Sequence, residues 1–424
     1  MMAPLRVLIT NNALAERKGT ELYVRDLAEA LLRLGHTPIV YSTEPGLVSA
    51  EIRAGSVPVV TDLKSISSPP DIIHGHHHLE TMTALLRFPG VPAVYFCHGW
   101  TPWEECPPLF SRILRYVAVD QTCRDRLVFE HAIPEEQIAT ILNFVNLSLF
   151  PGRPPLPEKP ARALVLSNNA NSHTHLPLLI EACSLAGISV DCIGSGVNRV
   201  SNRPGELISL YDIVFAKARS ALEAMAVGTA VVLCDEAGLG PMVNSQNFDR
   251  LRAMNFGIRT LRDQITTDAL LAQIKQYDSA DASVVSRRVR DTANLDSAIK
   301  LILSIYDDAI GEFRRQPSRI DPVDELRQAS EYLRWISPHI KDIKRQAHGL
   351  NKALAEQSSK YSSSLTVEQI RDMAERLEST EAEVARIKNT LGWRLLNSYG
   401  IIKHRYFLSA FGRLRSPGRR GDAS

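Results

Sequence analysis

The feature that most constrains this chain is an alternation of short apolar segments with longer amphipathic ones. The apolar segments are rich in β-branched residues and too short for buried helices, so they predict parallel strands, and the segments between them predict helices. The predicted strands are residues 5–10, 37–42, 57–61, 71–74, 91–98, 116–120, 162–167, 188–193, 211–216 and 229–234. Strands that alternate with helices are typical of α/β folds with a doubly wound parallel sheet.

A proline-rich segment divides this alternation into two series. Residues 150–160 contain five prolines among eleven residues, a density that can continue neither a helix nor a central strand. A chain of 424 residues also suffices for two or three domains. We therefore predict a first Rossmann-like domain at 1–150, a linker at 151–160 and a second, smaller one at 161–318, closed by a helix near 292–315.

Beyond Asp321 the pattern changes to apolar residues spaced three and four apart. One such run covers residues 326–354 and a second covers 370–391, with a serine-rich break between them. These heptads predict two coiled-coil helices within residues 321–392, the first of them kinked at Pro338. Their apolar faces should associate, either with each other as an antiparallel hairpin or between chains as coiled-coil self-association.

Residues 393–424 carry the basic excess of the chain. They contain seven Lys or Arg and one Asp, whereas the whole chain has a net charge of +2. Apolar and aromatic residues recur at near-helical spacing beside these cations, which predicts a basic amphipathic tail that binds an anionic membrane surface through residues 393–420. The alternative is that the aromatic residues pack on the coiled coil or on the domains while the arginines stay solvated.

The composition excludes several classes of function. The near-neutral net charge gives no reason to expect nucleic acid as a partner. The six cysteines include no Cys-x-x-Cys pair that would predict a zinc site. We find no secretory signal peptide and no run of the ~20 apolar residues that span a bilayer. We therefore expect a cytoplasmic protein that is peripheral at the inner face of the membrane if its tail binds lipid.

Polar residues cluster where predicted strands of the first domain end, which is the edge at which open α/β sheets bind ligands. Gly19 precedes a predicted helix, where backbone N–H groups can approach a phosphate. Residues 74–78 include four histidines, but no carboxylate or cysteine is spaced to complete a metal site, so we predict no metal. His98 ends the next strand and could donate to a sugar hydroxyl or act as acid or base; a structural histidine is the alternative.

The second domain offers a candidate anion site between two predicted strands. Ser220 is a favourable N-cap for the helix that follows, and Lys217 and Arg219 lie beside the N–H groups at its start, where a diphosphate would bind. Glu223 lies one turn into that helix, where a carboxylate can bind ribose hydroxyls, although a solvated glutamate is the alternative. Two glycines after the next strand predict a flexible segment that could close on the ligand, namely Gly238 and Gly240.

In this order, the segments resemble the retaining GT-B glycosyltransferases, the family typified by lipopolysaccharide and mannosyl transferases. The resemblance covers about residues 5–310 and rests on five stretches, namely residues 6–36, 71–76, 96–99, 141–146 and 222–228. It implies two Rossmann-like domains that face a cleft. It also implies transfer of a sugar from a nucleoside diphosphate sugar to a glycan or lipid-linked acceptor in the synthesis of cell-surface polysaccharide or lipopolysaccharide, without a metal or other cofactor.

The resemblance assigns roles to three of the candidate residues. Gly19 would approach the donor phosphates, and His98 would be the catalytic residue beside the transferred sugar. Glu223 matches the second glutamate of the family's paired-glutamate motif, which binds the ribose of the nucleotide.

The chain departs from the family pattern at two positions. Phe215 occupies the place of the first glutamate, and residues 167–171 lack the family's phosphate-binding Arg and Lys. Lys217 and Arg219 are therefore the expected diphosphate cations. The departures leave two alternatives open, a non-catalytic GT-B scaffold protein and a nucleotide-sugar 2-epimerase.

Overall fold

The computed structural model describes residues 3–201, 203–315 and 321–364, with side chains as far as residue 357. One compact unit ends at Leu333, and a second unit begins at Arg334. The first unit contains two largely parallel β-sheets, each at the centre of one Rossmann-like domain. The predicted α/β architecture with a C-terminal helix is therefore confirmed.

The first domain is built on a seven-stranded parallel sheet. Its elements are β1 (Arg6–Thr10), β2 (Ala13–Leu14), α1 (Gly19–Arg33), β3 (Thr37–Tyr41), β4 (Glu44–Pro45), α2 (Leu47–Ala54), β5 (Val59–Val60), β6 (Ile72–His76), α3 (His78–Arg87), β7 (Ala93–Cys97), β8 (Ile113–Ala118), α4 (Gln121–Asp125) and β9 (Ile138–Thr140). The strand order is β5-β3-β1-β6-β7-β8-β9, and β2 pairs with β4 in a separate ladder. The order reverses between β1 and β6, and such a reversal opens a ligand-binding crevice at the carboxyl ends of the strands.

The second domain is built on a five-stranded sheet. Its elements are β10 (Arg162–Leu166), α5 (Leu176–Leu185), β11 (Ser189–Ile193), α6 (Pro204–Ile208), β12 (Ile213–Ala216), α7 (Ala218–Val227), β13 (Ala230–Asp235), β14 (Gly238–Met242), α8 (Phe248–Arg252), α9 (Thr267–Ile274) and α10 (Ser279–Thr292). The order is β11-β10-β12-β13-β14, in which only β14 is antiparallel to its neighbour. The reversal lies between β10 and β12.

Helix α11 (Leu295–Arg315) packs on the first domain. The side chains of Ile299, Ile302 and Tyr306 lie in the same buried cluster as Val7 of β1 and Leu27 of α1. The prediction that this helix closes the second domain is therefore wrong. Helical periodicity reveals that an apolar face exists, but it does not reveal which domain covers that face.

Helix α12 (Pro322–Ser364) begins inside the compact unit. Glu325 bonds the guanidinium of the buried Arg112 at 2.5 Å, and Gln328 accepts a hydrogen bond from the backbone of Ser111 at 2.7 Å. The sequence predicts that the coiled-coil region begins at residue 321, but the first three turns after that residue pack on the first domain. The element continues through Pro338. The second heptad run and the basic tail lie outside the described residues.

The described helices include none that is both long enough and apolar enough to cross a bilayer. All six cysteines are free thiols.

Candidate functional site

A cleft of about 490 Å³ lies between the start of α1 and the carboxyl edge of the second sheet. Its second-domain wall is apolar where β10 and β11 end, at Leu166 and Ile193, and continues to Val200. Its first-domain wall carries Arg17 and Arg25. An apolar half beside a charged half suits a ligand with both an aromatic base and an anionic group.

Gly19 is the first residue of α1, where the sequence places it. A Cβ added at Gly19 would meet no atom within 4 Å. The preceding residue, Lys18, is the N-cap and makes no side-chain capping bond. A ligand can therefore approach this turn, and donor contact at Gly19 stays a prediction.

Helix α7 begins at Ala218, ahead of Ser220, so the predicted N-cap role of Ser220 is wrong. Lys217 is the N-cap, and the backbone N–H of Ala218 donates to the carbonyl of Phe256 at 2.8 Å. This tertiary bond satisfies an N–H group at the start of the helix without a capping side chain. Ser220 instead lines the cleft, together with Glu223.

Arg219 joins the two domains by a pair of ionic bonds. Its Nη2 atom lies 2.5 Å from Oδ2 of Asp26 on α1, and its Nε atom lies 2.7 Å from Oε1 of Glu223. Asp26 is fully buried, and the Arg219 side chain is 14% exposed. The residue predicted to neutralise a diphosphate is therefore already paired with two carboxylates.

These bonds belong to a longer charge-alternating network along the cleft. In order, its members are Arg17, Glu51, Arg25, Asp26, Arg219 and Glu223. Glu51 lies 2.7 Å from Arg17 and 3.1 Å from Arg25, and Arg25 lies 2.8 Å from Asp26. Three cations and three carboxylates give the network no net formal charge, so an anionic ligand must compete with carboxylates for its cations.

Burial and charge act against each other on two members of this network. Burial alone would lower the pKa of Arg219, but Asp26 and Glu223 raise it above the ordinary value, so Arg219 stays a cation. Burial raises the pKa of Glu223, and Arg219 only partly opposes this rise. Glu223 lines the cleft with Oε1 held by Arg219, and its side-chain oxygens can accept hydrogen bonds from hydroxyl groups.

Lys217 forms its ion pair outside this charge-alternating network. Its Nζ atom lies 2.6 Å from Oδ2 of Asp235 at the end of β13, and Asn169 donates to Oδ1 of the same carboxylate at 3.3 Å. The cleft lining includes Ser220 and Glu223 but neither Lys217 nor Arg219. Their role with a diphosphate stays a prediction.

The two glycines after β13 lie in a strand, so the prediction of a flexible closing segment is wrong. Gly238 and Gly240 belong to β14, which forms a tight antiparallel pair with β13. A Cβ on Gly240 would lie 2.6 Å from the carbonyl oxygen of Thr260, so the close approach of two backbones explains that glycine. Donor contact at these glycines stays a prediction. Phe215, at the place of the family's first glutamate, is buried in the core of the second domain.

His98 lies beside a buried cluster of rings at the carboxyl edge of the first sheet. Its ring centroid is 4.6 Å from that of Tyr23 on α1 and 4.7 Å from that of His76. His74 stacks on Phe96 with centroids 4.0 Å apart. The structure thus brings together the histidines that end β6 and the residue predicted to be catalytic.

These histidines are neutral near pH 7. Burial lowers the pKa of His98 to about 3 and that of His77 to about 4, and it lowers the pKa values of His74 and His76 well below the usual range. Neither ring nitrogen of His76 has a hydrogen-bond partner among the described residues. In that same part of the chain, no group of three or more His, Cys, Asp or Glu side chains could hold a metal ion.

Sequence reasoning missed two site residues, Asp26 and Glu105. Asp26 lies four residues from Leu22 and from Ala30, on the face of α1 that packs toward the core, and a carboxylate on such a face is a detectable signal. Glu105 is buried after β7 and gives no periodic signal, because it ends a single 3-10 turn, Trp103–Glu105, that is too short to show one.

Comparisons with known proteins agree with this architecture. Residues 17–149 match the model of glycosyltransferase family 4. A glycosyltransferase from Rickettsia africae is 15% identical, with a TM-score of 0.53 over 73% of this chain and 99% of that one. An Anabaena protein, solved in complex with UDP and glucose, is 14% identical, with a TM-score of 0.51 over 72% of this chain and 100% of that one. No curated protein matches the chain. The fold is GT-B, as the resemblance implies, and the first domain carries the family match.

Proposed function

We propose that this GT-B chain is a retaining glycosyltransferase that moves a sugar from a nucleoside diphosphate sugar to a glycan or lipid-linked acceptor. Synthesis of cell-surface polysaccharide or lipopolysaccharide is the process in which such acceptors occur. The observation that carries the proposal is the cleft between α1 and the second sheet, with Glu223 in its wall. No metal or other cofactor is part of the proposal.

Each part of the donor has a place in this arrangement. The apolar end near Ile193 and Val200 suits the base, and the carboxylate of Glu223 suits the ribose hydroxyls. The open turn at Gly19 can receive the diphosphate, and His98 lies at the sheet edge for the transferred sugar. The main electrostatic task is to stabilise the departing diphosphate.

A thermal-shift screen against nucleoside diphosphate sugars tests the proposal. UDP-glucose is the first choice, because the Anabaena protein of the same fold was solved with UDP and glucose. A ligand at 100 times its Kd stabilises the folded state by about 2.7 kcal/mol, which raises Tm measurably. If no nucleotide sugar shifts Tm or gives heat in titration calorimetry, the proposal is wrong.

Glu223 provides a sharper test at the level of one residue. Glu223→Gln should weaken binding of the selected nucleotide sugar by about 1–3 kcal/mol, the scale of a hydrogen bond to a charged group. Glu206→Gln is the matched control, because Glu206 lines the same cleft but is 64% exposed in its side chain. Equal affinities of the Glu223 variant and the control variant for the nucleotide sugar would show that Glu223 does not bind the donor.

Two observations favour a second candidate function, that of a non-catalytic GT-B scaffold. Phe215 replaces the family's first glutamate and is buried in the core, where it cannot contact a donor. Lys217 and Arg219 are paired with carboxylates. A chain that binds no nucleotide sugar but still associates through its C-terminal region would support this second function.

A further inference from the structure

The loop that follows β7, residues 98–106, is held from within by a buried carboxylate. Oε2 of Glu105 accepts a hydrogen bond from the backbone N–H of His98 at 2.9 Å. A Cβ on Gly99 would lie 3.1 Å from Cγ of Glu105, so a side chain there would press on the carboxylate arm. The loop therefore folds back, and Glu105 near its end holds the backbone of His98 at its start. We call residues 98–106 the His98 loop.

Arg126 holds the carbonyl groups of the same loop. Its Nη1 atom donates to the carbonyl of Gly99 at 2.7 Å, and its Nη2 atom donates to that of Pro102 at 3.0 Å. The Arg126 side chain is 4% exposed. Two buried side chains of opposite charge thus bond an amide and two carbonyl groups of one short loop, which restricts its conformation.

Glu105 also faces the loops that follow two neighbouring strands. Nδ1 of His77 accepts a hydrogen bond from the backbone N–H of Asn12 at 3.2 Å, so the proton of the neutral ring is on Nε2. That nitrogen lies 3.6 Å from Oε1 of Glu105. The carboxylate therefore connects the segments after β1, β6 and β7, which surround the carboxyl edge of the first sheet.

A carboxylate in this position has a high energetic cost, because burial removes its hydration. Burial raises the pKa of Glu105 to about 7, although the amides of His98 and Gly99 and the charge of Arg126 oppose this rise. The other titratable groups that face it from packed elements are His77, Tyr95, Glu104 and Cys123. Strongly shifted carboxylates of this kind are concentrated at functional sites.

We propose that Glu105 is a positioning residue for sugar transfer, which holds the His98 loop so that His98 stays at the carboxyl edge of the first sheet. The proposal rests on the proposed function and adds a residue to it. The carboxylate acts through the backbone amides of the loop and does not touch the sugar. Displacement of reacting groups by about 1 Å can cost about 100-fold in rate, so loss of this support should affect turnover more than donor binding.

The experiment compares Glu105→Gln with Glu104→Gln in the full chain. Glu104 is the exposed neighbour on the same loop, so it is a matched control for the loss of one negative charge. Hydrogen exchange of the His98 loop measures its order, and UDP release from UDP-glucose, or from the sugar nucleotide selected in the screen, measures turnover across pH 5–9. Calorimetry with UDP measures affinity on the donor side.

Glu105→Gln should exchange the amides of the His98 loop at least ~10-fold faster and reduce turnover about 10- to 100-fold, with UDP affinity within about twofold of wild type. Wild-type turnover should rise as pH increases through about 7, since the ionised carboxylate is the better acceptor, and the variant should lack this step. Glu104→Gln should match wild type in amide exchange, in UDP affinity and in turnover above pH 7, and its pH step should lie slightly lower, because the charge of Glu104 is the smallest of the influences that raise the pKa of Glu105.

Two results would overturn the assignment of Glu105 alone. One is a Glu105→Gln variant that keeps the turnover and the pH profile of wild type. Even if its amides exchange faster, the contact of Glu105 with the loop would then be structural only. The other is an equal effect of the Glu104 variant. If wild-type protein neither binds nor consumes any nucleotide sugar, the proposed function is wrong and the role of Glu105 in transfer is wrong with it.

Discussion

At the scale of single residues, Lys217 and Arg219 differ in how readily they could meet a diphosphate. Arg219 has two carboxylate partners, one in each domain, and its side chain is 14% exposed. Lys217 has one, Asp235, and is 34% exposed. Breaking a buried ion pair leaves an uncompensated charge, which costs several kcal/mol. Lys217 can therefore turn to an anionic ligand at lower cost than Arg219.

Replacement of both Lys217 and Arg219 with Ala should reduce affinity for UDP much more than affinity for uridine. A charge-assisted hydrogen bond to a phosphate is worth about 1.5–3 kcal/mol, and uridine has no phosphate to lose. Calorimetry with both ligands measures the difference, and Lys275→Ala, at an exposed position in the same domain, is the control. Equal losses for UDP and uridine would contradict the assignment.

Single residues also show which features of the site can be predicted from sequence and which cannot. The places of Gly19 and Glu223 follow from local pattern, and the structure puts the first at a helix start and the second in the cleft wall, whereas Ser220 lies in that wall without being the N-cap. The bond between Asp26 and Arg219 joins residues 193 positions apart. No spacing rule relates such a pair, because packing of the two domains creates the contact.

At the scale of elements, strand β6 concentrates titratable groups in the core. His74 and His76 are fully buried, and His77 and His98 lie next to them. The folded pKa of such a histidine lies below its unfolded pKa of about 6.5. At pH values between the two, the unfolded state binds more protons than the folded state. The free energy of unfolding therefore decreases as pH falls below about 6.5.

His76→Phe should flatten this acid-side loss of stability. The ring of phenylalanine fills a similar volume and takes up no proton, so the variant should be less sensitive to pH between about 6.5 and 4 by up to about 1.4 kcal/mol per pH unit. Urea unfolding at several pH values measures the slope, and His173→Phe, at an exposed position, is the control. Parallel slopes for wild type and His76→Phe would show that His76 is protonated without cost.

Helix α12 is the element whose apolar residues the sequence analysis assigns to a coiled coil. Four of them, Ile340, Ile343, Leu350 and Leu354, are 51–66% exposed. Such a face is costly to leave in water, so it should pair with the second heptad run at 370–391 or with another copy of the chain. The first turns of α12 support the buried Arg112, so a truncation should end at Leu333 rather than at 320.

Removal of the residues after Leu333 should change either the number of chains in the particle or its frictional ratio, while Tm of the remaining body changes little. Analytical ultracentrifugation and thermal unfolding measure these quantities. Ile343→Lys should weaken the association in the full chain, whereas Lys341→Gln, a polar neighbour on the same helix, should not. An unaltered number of chains per particle and an unaltered frictional ratio, together with an unfolded isolated segment, would show that the heptads do not associate.

The elements themselves were largely predictable, because alternation of buried strands and amphipathic helices is a local property. The proline-rich segment lies between the two sheets, which span residues 6–140 and 162–242. Two of the errors have one cause. The helix at 295–315 and the glycines of β14 show the local pattern on which their predictions rest. The residues that pack on them, however, come from other parts of the chain.

At the scale of the whole molecule, the two domains of the compact unit are joined at separate points. Arg219 bonds Asp26 beside the cleft, and the backbone N–H of Gln121 donates to the carbonyl of Ala253 at 3.0 Å. Arg17 reaches the carbonyl of Ser201 at 3.4 Å. A cleft bordered by such contacts has both walls in place before a donor arrives, and such preorganisation lowers the cost of binding.

The basic tail at 393–420 lies outside the described residues, and its role is argued from sequence. Its apolar residues are Trp393, Leu395, Leu396, Tyr399, Ile402, Tyr406, Phe407 and Phe411, and its cations are Arg394, Lys403, Arg405, Arg413, Arg415, Arg419 and Arg420. Such a segment can lie in the membrane interface, with aromatic rings at headgroup depth and cations on acidic lipids. A lipid-linked acceptor would give a transferase reason to bind there.

The full chain should therefore float with anionic vesicles at low salt and dissociate as salt is added. Each basic residue near the surface contributes about 1 kcal/mol, and screening by salt reduces that contribution within a Debye length. Gly400 lowers the helical tendency of the tail by about 1 kcal/mol relative to Ala, so Gly400→Ala should bind at least as well as wild type. A chain that ends at residue 392 should stay in solution at every salt concentration, and neutral vesicles should capture neither form. If the truncated and full chains float alike, the anchor lies elsewhere in the molecule and the tail packs on protein instead.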